Sequence, residues 1–100
     1  MNEDNLDHLP DWKEPSEFEH FGVMIPDHLV GGLRRYAVKR ELPGHFLTKV
    51  LENDLSGACG RADPVSASAL PVLVAWMYNH LPSSAWGGPK KVREWVKGGE

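Results

Sequence analysis

Residues 43–58 read PGHFLTKVLENDLSGA. Within them Phe46, Leu47, Val50, Leu51, Leu55 and Ala58 recur at helical spacing and form one apolar face. The outward positions are His45, Thr48, Lys49, Glu52, Asn53 and Asp54. The pattern predicts a helix from about Pro43 to Gly57, and the segments on either side read the same way. Upstream, Leu29, Leu33, Tyr36 and Ala37 make a buried stripe for a helix from about Pro26 to Arg40. Its entry proline, Asp27 in the first turn and Lys39 and Arg40 in the last all suit the helix dipole. Gly31 and Gly32 weaken that helix by about 1 kcal/mol each relative to Ala, so a close neighbour is expected there. Leu42-Pro43-Gly44 is the turn between the two.

Downstream, Gly57 and Gly60 bracket Cys59 in an expected loop. Asp63-Pro64 is a strong helix start, an N-cap acid followed by proline at the first helical position. The third helix is expected to run to about His80, with Val65, Ala69, Leu70, Leu73, Val74, Met77 and Leu81 inward and a kink or break at Pro71. A loop over residues 82–88 holds Trp86. Pro89 then opens a last helix to about Lys97, with Val92, Trp95 and Val96 on one face. The fold class is therefore all-α, a small bundle of about four helices.

The chain's 100 residues fit one domain, and a chain of that size can bury a core without metal or disulfides. Its charge is unevenly placed. Residues 1–28 hold eight acids and one base, a net of −7, and residues 29–100 hold six acids and ten bases, a net of +4. Residues 1–25 are read as an acidic, mostly extended N-terminal arm and residues 26–100 as the helical domain. Phe21 to Ile25 is a short apolar lead-in that packs as an extended segment, because no second convincing strand exists to pair with it. Trp12 in the middle of the arm either docks on the domain's own surface or is offered to a partner. One cysteine closes no intrachain disulfide, and no leader segment is evident, which points to a reducing, intracellular setting.

Catalytic and metal-binding patterns are missing from the sequence. Five histidines show no spacing that places two ligands on one helical face, and Gly57-Ala58-Cys59-Gly60 lacks the spacing of a phosphate-binding loop. Cys59 has no recognisable base partner. The expectation is a protein that is not an enzyme and uses no cofactor and no metal. The first two helices and their turn resemble helix-turn-helix in outline, but Glu52 and Asp54 on the second oppose phosphate contact. Arg34, Arg35, Lys39 and Arg40 form a basic cluster that either answers internal acids or meets DNA. Glu52-Asn53-Asp54 stands out because acids in the last turns of a helix oppose its dipole. Arg61, Arg34 or Arg35 answers them internally, or basic residues of another protein do.

Pro43-Gly44, Phe46-Leu47, Val50 to Leu55, Arg61-Ala62-Asp63, Tyr78-Asn79, Pro82-Ser83, Trp86-Gly87, Pro89, Val92 and Trp95 together resemble a family of small helical proteins of bacteriophages and mobile elements. That family is the type I-F anti-CRISPR proteins, and the resemblance is to the sixth of the series. It covers about residues 26–97 and leaves the acidic arm outside. The resemblance implies a stoichiometric inhibitor acting in the bacterial host cytoplasm. It would bind the crRNA-guided type I-F surveillance complex near its Cas8f and Cas7f subunits and block target DNA by steric occlusion, by acidic DNA mimicry, or by both. The residues expected to contact that partner are Asp11, Trp12, Glu14, Glu17, Glu19, Glu52, Asn53 and Asp54. No small-molecule substrate or membrane is expected, and direct DNA binding is disfavoured. The alternatives are a helix-turn-helix-like DNA-binding regulator and a phage structural or adaptor protein using Trp12 and Trp86.

Overall fold

The structure is a computed structural model that describes residues 6–98. It is mostly helical, with α1 Asp27–Lys39, α2 His45–Leu51, α3 Leu55–Arg61, α4 Pro64–Ser68, α5 Leu70–His80 and α6 Pro89–Lys97. The radius of gyration is 12.7 Å, the value of a compact domain of this length. Trp76, Tyr36, Leu33, Leu51, Leu73 and Met77 fill the centre. The first and last helices lie where the sequence places them, and the α1 stripe of Leu29, Leu33, Tyr36 and Ala37 is buried as expected. In α6, Val92 and Trp95 are buried, and Trp95 donates its indole N–H to the Tyr36 carbonyl at 2.8 Å. Arg40 lies 3.8 Å from the centre of the Trp95 ring, so α6 is clasped to the end of α1.

The second expected helix is two helices. Asn53 takes a left-handed φ of 62°, which ends α2, and Asp54 begins α3 by accepting the Gly57 N–H at 2.8 Å. The expected loop around Cys59 is thus the body of α3, and Leu55, assigned inward, is 68% exposed at its first turn. The third expected helix is also two. It breaks at Ala69, and Pro71 occupies the first turn of α5, where its missing N–H has no intrahelical partner to lose. Ala69, Leu73, Met77 and Leu81 are buried as expected, whereas Val65 on α4 and Val74 on α5 are exposed and Val72 and Trp76 complete the inward face of α5.

The N-terminal segment is packed onto the helices. Leu9, Pro15 and Ile25 are buried, a 3-10 turn spans Pro15–Glu17, and a small antiparallel hairpin pairs β1 Glu19–His20 with β2 Val23–Met24. The lead-in therefore does have a partner strand. Three polar contacts tie the segment down. Trp76 Nε1 donates to the Lys13 carbonyl at 2.9 Å, His80 Nδ1 to the Asp11 carbonyl at 2.7 Å, and His8 Nε2 to the Ala37 carbonyl at 3.0 Å. Trp12 stands edge-on to Trp76, with ring centres 5.8 Å apart.

Candidate functional site

The side chains singled out from the sequence fall into three groups. The first is Trp12 and Glu14. The Trp12 indole donates to Glu14 Oε2 at 3.0 Å, and Arg34 on α1 reaches Glu14 Oε1 at 3.1 Å. Glu14 is therefore engaged within the chain, and Arg34 answers an internal acid. Trp12 is half-buried on the domain's own surface.

Glu52, Asn53 and Asp54 form the second group, and local structure accounts for each. Glu52 is the last residue before the turn, and Asn53 is the left-handed position that Asn tolerates better than most residues. Asp54 sits at the start of α3, where a carboxylate is favoured by the helix dipole rather than opposed by it. Lys49 stands between the two acids, 3.5 Å from Glu52 Oε1 and 3.7 Å from Asp54 Oδ2. Of the cations expected to answer these acids, Arg34 pairs with Glu14, and the cation found beside them is Lys49. Arg61 donates to His45 Nδ1 at 3.2 Å.

The third group is Asp11, Glu17 and Glu19, to which Asp27 at the head of α1 belongs by chemistry. All four are exposed, and among the described residues none of their carboxylates has an ion-pair partner within 4 Å. In the sequence Asp27 reads only as a favourable first-turn acid, and nothing there marks Phe21, Val23 and Met24 of the hairpin, which are 92%, 46% and 50% exposed.

One arrangement has the composition of a hydrolytic centre without its geometry. His28 Nε2 lies 3.1 Å from Ser66 Oγ, and Asp63 Oδ2 approaches the same ring nitrogen at 4.0 Å. A carboxylate that orients an imidazole for general-base work must bond the other nitrogen. Asp63 instead caps α4, and the Ser66 backbone N–H donated to it at 2.7 Å holds its carboxyl below the usual range. Burial pushes the Tyr36 phenol well above its ordinary value, and that hydroxyl donates to the Ala85 carbonyl, a structural contact. Among the described residues, no group of three or more His, Cys, Asp or Glu side chains is placed to hold a metal ion. No helix there is long and apolar enough to cross a membrane. The chain matches no family model, and no curated protein or solved structure matches it.

Proposed function

We propose that this protein is a noncatalytic inhibitor that binds a basic surface of the type I-F surveillance complex, at its Cas8f and Cas7f subunits, and keeps target DNA out. The observation that carries the reading is the contrast between the acids. Glu14, Glu52 and Asp54 have cations of their own chain within 4 Å, whereas Asp11, Glu17, Glu19 and Asp27 face solvent on a folded segment with none among the described residues. Exposed acids held in fixed positions match the Lys and Arg that line a DNA path, and such complementarity steers encounter and fixes orientation. The contact surface is accordingly the N-terminal segment, and Glu52, Asn53 and Asp54 act in folding. A helix-turn-helix use of α1 and α2 is less well supported, because α2 has seven residues and its only Lys or Arg, Lys49, is held by two acids.

The test mixes the full chain with purified type I-F surveillance complex and follows target-DNA capture by gel shift, with co-elution on gel filtration. The expected result is a stoichiometric complex that no longer captures DNA. Full DNA capture at excess protein, with no co-elution, overturns the proposal.

A further inference from the structure

The hairpin turn is two residues long, Phe21-Gly22, with φ of 53° and 78°. Positive φ at both central positions defines the type I′ turn, whose preferred residues are Asn-Gly and Asp-Gly. Gly22 fits that demand. Phe21 does not, since a bulky side chain in the left-handed region crowds the following carbonyl. Burial gives Phe21 nothing in return, because its ring is 92% exposed and its one ring contact among the described residues is with His20, at 4.3 Å between centres. Phe18, three residues earlier, shows the alternative, being half-buried with its ring edge against His80 at 5.3 Å. The hairpin thus presents Phe21 at its tip with Val23 and Met24 beside it, against both local rules, and strained positions of this kind concentrate where a chain meets ligands.

Charge says what covers the tip. Residues 14–33 contain four acids and no Lys or Arg. Glu19 pairs across the hairpin from Met24, and Glu17 and Asp27 flank the two strands in the sequence. Phosphates are repelled by that setting, as is an anionic bilayer. A protein pocket that is apolar at its floor and Lys- or Arg-lined at its rim is attracted by both parts.

We infer that the Phe21 tip is the anchor of the interface: Phe21 enters an apolar pocket on a protein partner, and Glu17, Glu19 and Asp27 meet the cations around its rim. This rests on the proposed function, and it assigns the dominant contact to a residue outside the acidic set. Aromatic anchors surrounded by polar contacts are the usual form of a binding hot spot.

Phe21→Asn separates anchoring from folding, because Asn suits the left-handed position. Its thermal midpoint is expected at or above that of the wild type, while its affinity for the purified surveillance complex drops tenfold or more. Tyr78→Ala, which removes a 78% exposed aromatic elsewhere, is expected to bind as the wild type does. Wild-type affinity in Phe21→Asn overturns the anchor and leaves the functional proposal standing, and so does a lower midpoint, which places Phe21 in its own fold. Failure of the unaltered chain to bind the complex overturns both, and tight binding of the chain to phosphatidylcholine vesicles replaces the protein pocket with a bilayer.

Discussion

Asn53 and Asp54 show how two adjacent side chains divide one apolar run into two helices. The Asp54 N–H bonds back to the Lys49 carbonyl at 2.9 Å and the Asn53 N–H to Val50 at 3.0 Å, the closing pattern of a helix that ends in a left-handed residue. Asp54 then satisfies the free Gly57 N–H of α3. Asp54→Ala is therefore expected to cost about 1 kcal/mol in urea unfolding, the usual worth of an N-cap. Gly57→Ala is expected to destabilise as well, although Ala is the better helix former. Its Cβ would stand 2.5 Å from Asp54 Oδ2 and 3.0 Å from Lys49 Cδ, so the cap must shift. Asp63 supplies a pH-dependent counterpart. Its carboxyl titrates below the ordinary 3.8 in the folded chain, mainly because the Ser66 N–H favours the charged form. A depressed folded value means the stabilisation is complete above the unfolded value and is lost as pH falls through the folded one. Thermal midpoints measured between pH 5 and pH 2 are expected to fall less steeply for Asp63→Asn than for the wild type, with the two close together at pH 7, where Asn is also a good cap.

At the scale of elements, α1 and α2 meet at one glycine of the Gly31-Gly32 pair. A Cβ on Gly32 would lie 3.0 Å from Leu47 Cδ1 and 3.5 Å from Pro43 Cβ, so the close neighbour expected there is α2 and the turn before it. At Gly31 the nearest atom is the movable end of Arg35, at 3.0 Å. Gly31→Ala should thus raise stability by up to about 1 kcal/mol, whereas Gly32→Ala should gain less or lose, and chemical denaturation of the two variants side by side checks this. The same contrast explains what was legible beforehand. The α1 and α6 boundaries were readable because proline, stripe and terminal bases agreed locally. The break after α4 was announced by Pro71 and falls two residues before it, but the break after α2 was not readable, because apolar spacing runs on through a turn whose only marker is an αL-tolerant Asn. On α5 the expected face holds the buried Leu73 and Met77 but takes in Val74 instead of Val72 and Trp76, which lie on its other flank. The docking of residues 6–25 was beyond local reading altogether, since Trp76 and His80 hold it from more than sixty positions away. Of the candidate site, the exposed acids were visible as charge, but which acids had partners depended on Arg34 and Lys49, and the hairpin tip depended on two strands of two residues each.

Over the whole molecule, charge separates by segment in a way that bears on how it docks. The bases of α1 and its C-cap are partly absorbed, Arg34 by Glu14 and Arg40 by the Trp95 ring and carbonyl. Lys90, Lys91, Arg93 and Lys97 of α6 are exposed and, among the described residues, have no acid within 4 Å. A partner surface rich in Lys and Arg attracts the N-terminal acids and repels α6, so the two sets of charges orient the encounter in the same sense. Long-range attraction of this kind acts on the association rate and weakens with salt, because the screening length shrinks from about 30 Å at 0.01 M to about 10 Å at 0.1 M. On the proposed function, association of the chain with the surveillance complex, followed by surface-immobilised kinetics at several ionic strengths, is expected to slow as salt rises. Glu17→Lys combined with Glu19→Lys should lower the low-salt association rate by about tenfold and flatten its salt dependence, with little change in dissociation. Lys90→Glu combined with Lys91→Glu should associate as fast as the wild type or faster. Slower association of the α6 variant, with the N-terminal variant unaffected, would mean that the basic helix makes the contact and the partner surface is acidic.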